Sequence, residues 1–394
     1  MLRTSLRSTI LSRRSLPLLH SRLPISTLHP TLNCSKTHRL DLHTSAKTSL
    51  AVTPPLQKAM NTTLVPQEAT LRPSGTGSFV PQERSFPLRN GIVIRAKHWR
   101  TGDENARPRD CRRFLAFHGF LDNAGSFDLL APLMLEKLGS GEPVEIVAID
   151  LAGHGLSSHR TTEDYALWRY VEDADQVVEQ LGWQRHAIIG HSMGGAISTI
   201  YAGLYESRVT LCVLLDNFGP LTRSVEDQPE HLLEHIAEKK ALTAKRLPFH
   251  PTIDSACKAR SQGGAYGIQP EYARVLMPRG LRPMERTMED GTVMQGWTWT
   301  TDRLLTIRSA QSMSEGYAKA FMSRICCPVL CALAEGGLLG MMEVTEERVS
   351  WMHKASVTVV GAAGNHSVHM EDAPMISEKV CSWILEQDHE RARL

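Results

Sequence analysis

The stretch HAIIGHSMGGAISTIYAGL, residues 186–204, decides the reading of this 394-residue chain. HAIIG (His186 to Gly190) is a short apolar run of the kind found in buried strands, and Gly194 to Tyr205 carries helical apolar spacing. Between them Gly190-His191-Ser192-Met193-Gly194 matches G-x-S-x-G. A serine hydroxyl is a weak nucleophile and must be presented sharply, beside a base and a site for developing negative charge. A strained strand-to-helix turn does this, and glycines on either side admit backbone contacts that a Cβ would block. Ser192 is therefore the expected nucleophile. The bland alternative is a glycine-rich turn around an idle serine.

Outward from this turn, apolar runs alternate with helical patterns. FLAFH (Phe114 to His118) and VEIVAID (Val144 to Asp150) read as strands, with a helix around Phe127 to Leu138 between them. Tyr165 to Leu181 reads as an amphipathic helix, and VTLCVLLD (Val209 to Asp216), CPVLCAL (Cys327 to Leu333) and SVTVVG (Ser356 to Gly361) as further strands. A last helix follows Pro374. Continuous apolar strands alternating with helices imply an α/β fold whose mostly parallel sheet is covered on both faces. Asn90-Gly91, between SFPLR and IVIRAKHW, signals a β-hairpin at the start. Residues 217–316 break the rhythm with a polar, helical stretch carrying Met277, Met284, Met288, Met294 and Met313. That interruption is too long for a connecting loop and reads as an inserted helical lid, leaving 86–216 and 317–390 as the core.

The base is expected late in the chain, on a loop after the last strand, where GNHSVHME offers two histidines. His366, just past SVTVVG, is placed to swing over the sheet towards the serine. His369 falls at the start of the final helical region and points elsewhere. An oxyanion site needs two backbone N–H groups. Met193, after the nucleophile, and Phe120, in His118-Gly119-Phe120 after FLAFH, are the expected donors. His118 is read as bracing that loop, and the glycine-rich turn after Asp150 as shaping the pocket rim.

These blocks carry a resemblance. HGFLDNAGSFDLLAPLM, DLAGHGLSSH, GHSMGG and GNHSVHMEDAP occur in the order of the α/β-hydrolase family, over residues 86–385. The pieces Leu121-Asp122-Asn123 and Ser126-Phe127-Asp128 resemble more narrowly the serine hydrolase-like (kraken-like) proteins. The resemblance implies Ser192 and His366 as active-site residues and a peroxisomal, cytosolic or mitochondrial setting. It also implies an acid after CPVLCAL, where family members often carry G-x-x-D, but this sequence has Gly337 at that point. Two residues then compete for the role. Asp216, at the end of VTLCVLLD, reaches the histidine from the neighbouring strand end in some relatives. Glu335 stands two residues early with a longer side chain.

Composition narrows the setting. Up to Gln67 there are nine Lys/Arg and one acid, Asp41, so the remaining 35 basic and 41 acidic residues leave that part at net −6. A mildly acidic body argues against a nucleic-acid surface. No apolar run is long enough for a membrane span. The start, MLRTSLRSTILSRRSLPLLHSRL, is rich in Arg, Ser and Leu and free of acids, as in a mitochondrial transit peptide. Residues 1–50 are read as that peptide, bound for the matrix, and 51–85 as a flexible linker rich in Pro, Thr, Ser and Gly. The eight cysteines show no framework spacing, so buried free thiols are expected. No zinc-site spacing, Walker loop or dinucleotide fingerprint occurs, so neither metal nor cofactor is expected. An aspartate-nucleophile hydrolase is argued against by Ser192. The expectation is a serine hydrolase acting on a small acyl ester or thioester; the alternative is a catalytically silent relative that binds a small molecule or protein.

Overall fold

The computed structural model describes residues 79–102, 111–140, 142–161, 165–263, 267–338 and 346–393. Residues 1–50 and most of the expected linker lie outside them.

The strands are β1 (Gln82–Pro87), β2 (Val93–Arg100), β3 (Arg112–Phe117), β4 (Val144–Ile149), β5 (His186–His191), β6 (Val209–Leu215), β7 (Leu281–Thr287), β8 (Val293–Trp299), β9 (Val329–Gly336) and β10 (Val357–Asn365). Eight of them form one sheet in the order β1-β2-β4-β3-β5-β6-β9-β10. The first two pairings, β1 with β2 and β2 with β4, are antiparallel, and all the others are parallel. The helices are α1 (Leu130–Leu138), α2 (Leu167–Leu181), α3 (Met193–Leu204), α4 (Gln228–Ala244), α5 (Ile253–Gln262), α6 (Pro270–Gly280), α7 (Glu315–Met322), α8 (Glu346–Trp351), α9 (Val368–Glu371) and α10 (Ala373–Ala392).

Alternate residues of each central strand serve opposite layers, as the two-residue period requires. Phe114, Ala116, Ile146, Ala148, Ile189, Val213 and Leu330 join Leu130, Met134, Val380 and Trp383 of α1 and α10 in one core. Leu115, Phe117, Val147, Ile149, Ile188, Leu214 and Cys331 join Val171, Val178, Ile197, Tyr201 and Met322 of α2, α3 and α7 in the other. Burying a large apolar side chain is worth roughly 1.5–3 kcal/mol. Two such layers hold the sheet rigid, and its C-terminal edge carries the turns that matter below.

The structure departs from the sequence reading in three places. First, β1 begins at Gln82, inside the stretch read as linker. It is an edge strand exposed at all but one position, so no apolar pattern announces it. Second, the inserted segment is not wholly helical: besides α4, α5 and α6 it holds the hairpin β7–β8. That hairpin turns at Asp290-Gly291 as β1–β2 turns at Asn90-Gly91. In both, the glycine has positive φ (84° and 82°) and its N–H bonds back three residues, to Met288 O and Leu88 O. Third, Cys326 is exposed and Cys111 partly so, whereas Cys212, Cys257, Cys327, Cys331 and Cys381 are buried free thiols.

The inserted segment is tied to the core through buried charge. Asp150, just past β4, accepts the N–H groups of Ala124 (2.8 Å) and Leu156 (2.7 Å) and the guanidinium of Arg279 in α6 (Nη2 at 2.8 Å). The turn after β4 is thus structural, as read.

Candidate active site

The strand-to-helix turn is built as its glycines demand. β5 ends at His191, α3 begins at Met193, and Ser192 between them holds φ 51°, ψ −118°. A non-glycine residue in the left-handed region is strained, and such strain persists only where the surroundings over-determine it. Here Ser192 N donates to Leu215 O (3.1 Å) and Gly195 N to Ser192 O (2.8 Å). A Cβ at Gly194 would lie 2.2 Å from Phe117 O, and one at Gly190 2.3 Å from Gly194 O. The close packing of helix on strand therefore forbids side chains on both sides of the serine.

His366 follows β10 on the loop before α9. Ser192 Oγ lies 2.8 Å from its Nε2, and its Nδ1 lies 2.5 Å from Asp216 Oδ2. With a neutral imidazole, Ser192 donates to Nε2 and Nδ1–H donates to the carboxylate. Asp216 is fully buried just beyond β6, with φ 45°. Its Oδ1 also accepts Ala334 N (2.9 Å) and its Oδ2 Leu338 N (2.9 Å), so the carboxylate is pinned by strand β9 and the turn that follows it. Of the two acids considered, the structure brings Asp216 to the histidine. Glu335 is exposed at the end of β9 and makes no hydrogen bond or ion pair among the described residues. The glycine at 337 has a direct structural counterpart: a Cβ there would lie 2.0 Å from Asp216 Oδ2. Asp216 occupies the space that a side chain from 337 would need.

Phe120, on the turn after β3, and Met193, the first residue of α3, line the same cavity. Neither amide donates to a protein acceptor among the described residues. Leu121 (φ 59°) and the Asp122 N to Gly119 O bond (3.2 Å) close the turn that carries Phe120. His118 braces this loop: its Nδ1 donates to Gly119 O (2.8 Å) and its Nε2 accepts Leu151 N (3.0 Å). His369 is buried with its ring centroid 4.1 Å from that of His191, and has no hydrogen bond to Ser192. Chemically, the Ser192–His366–Asp216 chain lets a hydroxyl proton pass to an imidazole whose resulting charge faces a buried carboxylate.

A cavity of about 440 Å³ reaches Met193, the residue after the serine. Phe120 and Met193 line it together with Trp168 of α2 and Leu221, Ile307 and Met313 of the inserted segment. Among the described residues no group of three or more His, Cys, Asp or Glu is placed to hold a metal ion. None of the helices described is long and apolar enough to cross a membrane.

Several buried imidazoles are held neutral. Burial, the largest cause in each case, pushes His191 and His186 down to about 4 and His154 to about 3, and lowers His118 and His369 as well. The unfolded chain therefore binds more protons than the folded one below pH 6.5, the ordinary histidine value. Each such histidine removes about 1.4 kcal/mol per pH unit as pH falls below that value towards its folded pKa. Melting temperature is expected to be steady above pH 6.5 and to fall steeply towards pH 4. A flat profile across that window would contradict the burial of these rings in neutral form.

A family model described as alpha/beta hydrolase fold matches residues 112–257. A solved hypothetical protein of Pseudomonas aeruginosa PAO1 is 32% identical, with a TM-score of 0.64, covering 78% of this chain and 99% of its own. The chain belongs to the α/β-hydrolase fold family. A serine hydrolase-like protein of Danio rerio is 29% identical over 303 residues, 75% of this α/β-hydrolase and 86% of the relative. A bifunctional esterase/perhydrolase of Acinetobacter calcoaceticus is 26% identical over 229 residues, 56% of this chain and 76% of that one. The sheet order and the turn around Ser192 are those expected of this fold. Within this α/β-hydrolase, sequence reasoning missed the contact of His191 with the loop of His366. No local signal marks it, because the partners are 175 residues apart.

Proposed function

We propose that this α/β-hydrolase is a serine hydrolase that cleaves a small acyl ester or thioester through Ser192, His366 and Asp216. The observation that carries the reading is the continuous chain from Ser192 Oγ to His366 Nε2 (2.8 Å) and from His366 Nδ1 to Asp216 Oδ2 (2.5 Å). Ser192 attacks the carbonyl carbon while His366 takes its proton; the amides of Phe120 and Met193 hold the oxyanion. The carbonyl re-forms, the leaving group departs with the proton from His366, and an acyl-enzyme remains. Water, activated by His366, then releases the acid. The apolar part of the cavity wall, with Trp168, Leu221, Ile307 and Met313, suits a hydrocarbon acyl chain. The esterase name of the Acinetobacter relative lends support to ester cleavage.

The test is turnover of p-nitrophenyl esters and acyl thioesters of graded chain length by the full chain and by Ser192→Ala. The reading expects Ser192-dependent release that falls off when the chain outgrows the cavity. Equal slow rates in both proteins would favour the silent, ligand-binding alternative. We also propose a mitochondrial matrix location, on the basic, acid-free start of the chain. Residues 1–50 fused to a fluorescent protein are expected to enter mitochondria; a diffuse cytosolic signal contradicts this.

A further inference from the structure

The middle residue of the serine turn's first half, His191, does something no motif requires. It is the last residue of β5, and its side chain is only 2% exposed. Its Nε2 lies 2.9 Å from the backbone carbonyl oxygen of His366. Burial in this site lowers its pKa to about 4, so the ring is neutral and carries one N–H. That proton sits on Nε2, the nitrogen facing a carbonyl, which can only accept. On the other side Nδ1 faces Asp122 Oδ2 at 3.7 Å, beyond hydrogen-bond reach.

The ring is wedged among the parts that must be held in register. It lies 4.7 Å from the ring of His366 and 4.1 Å from that of His369, centroid to centroid. The loop of Phe120 packs on it so closely that a Cβ at Gly119 would lie 2.6 Å from Nδ1. That loop is fixed in turn by Asp122, whose Oδ1 accepts Nη2 of Arg260 in α5 at 2.6 Å. The base itself sits at a junction. β10 is an edge strand of the sheet, mostly exposed at its C-terminal end, and Gly364, two residues before the base, has φ 129°. After the base the chain is anchored by buried Ser367, Val368, His369 and Met370; on the strand side it is exposed.

We propose that His191 is a positioning residue: its Nε2–H grips the main chain of His366 and so sets the imidazole against both Ser192 and Asp216. This rests on the reading of Ser192, His366 and Asp216 as the catalytic groups. The strand that presents the nucleophile thereby also holds the base, so the two move together. His191 itself does not line the cavity, and loss of its hydrogen bond acts by misplacing the reacting nitrogen. A misplacement of about 1 Å costs up to roughly 10²-fold in rate.

The experiment compares His191→Gln with His191→Asn in the full chain. The glutamine amide reaches the place of Nε2 and keeps a donor for the carbonyl; the asparagine amide stops at the place of Nδ1. His191→Asn is expected to lower kcat by roughly 10–100-fold with KM little changed, and His191→Gln to retain most of the wild-type kcat. The far-downfield proton resonance of His366 Nδ1–H, read by NMR, should broaden or vanish in the asparagine variant and persist in the glutamine one. This second readout needs no turnover. If the resonance follows that pattern while the wild type hydrolyses no ester, the proposed activity fails and the positioning role stands. If the asparagine variant keeps both rate and resonance, or if glutamine is as damaging as asparagine, the positioning role is overturned. Melting curves show that the variants compared are folded.

Discussion

Asp216→Asn is expected to lower kcat by about 10⁴ while leaving the melting temperature within a few degrees of wild type. The asparagine fills the same volume, and with its oxygen at the place of Oδ1 it still accepts the amide of Ala334; its NH2 takes the place of Oδ2, at the cost of the single hydrogen bond from Leu338 N. What changes is the partner offered to His366 Nδ1. An amide N–H there turns the ring to the tautomer with its proton on Nε2, which has no lone pair for the Ser192 hydroxyl. The imidazolium formed on attack also loses its facing charge. Glu335→Gln is expected to change the rate little, because Glu335 is exposed and engages none of these groups. A sharper version exploits Gly337, whose missing side chain leaves the space that Asp216 Oδ2 fills at 2.0 Å from an ideal Cβ. Gly337→Asp alone collides with Asp216. Asp216→Gly combined with Gly337→Asp should recover activity that Asp216→Gly lacks, with the acid supplied from β9. Near-normal turnover by Asp216→Asn would remove Asp216 from the mechanism.

Arg279→Ala is expected to have the largest effect on stability, about 3–5 kcal/mol. Arg279 is 3% exposed and lies against Asp150, which is fully buried. Its Nε and Nη2 reach Asp150 Oδ2 at 3.0 and 2.8 Å, and its Nη1 reaches Glu83 Oε1 at 2.5 Å. One guanidinium thus joins the inserted segment, the end of β4 and the edge strand β1. Removing it leaves a buried carboxylate with only amide partners, and the cost of an uncompensated buried charge dominates. Replacing Asp150 as well is not expected to restore stability, because Ala124 N and Leu156 N then lose their acceptor. Urea midpoints at constant slope measure the loss. Limited proteolysis should show the inserted segment cut before the sheet. A shift below about 1 kcal/mol would mean that the pair is solvated rather than buried.

How much of this was readable follows from how local each signal is. β3, β4, β5, β6 and β9 are apolar on both faces, so their sequences announce a covered parallel sheet. The serine turn is legible because its steric demands fall on two glycines only four residues apart. His366 is legible by its place after the last strand. The sequence does not separate Asp216 from Glu335 as the acid, because both stand near strand ends. Only the packing of β6 beside β9 shows which carboxylate points at the ring. β1 escaped because its side chains face solvent, and β7–β8 because Asp290-Gly291 sits inside a stretch dominated by helical patterns. The grip of His191 on His366 was invisible for a different reason: it is a contact to main chain, which leaves no mark in side-chain identity.

The central claim is that Ser192 is an activated nucleophile. The most direct measurement is the intact mass of the full chain after exposure to a fluorophosphonate, beside Ser192→Ala treated identically. An activated serine displaces fluoride and keeps the phosphonyl group on Oγ. The account predicts one added phosphonyl mass in the wild type and none in Ser192→Ala. A folded wild type that stays unlabelled, or a variant labelled to the same extent, would contradict it.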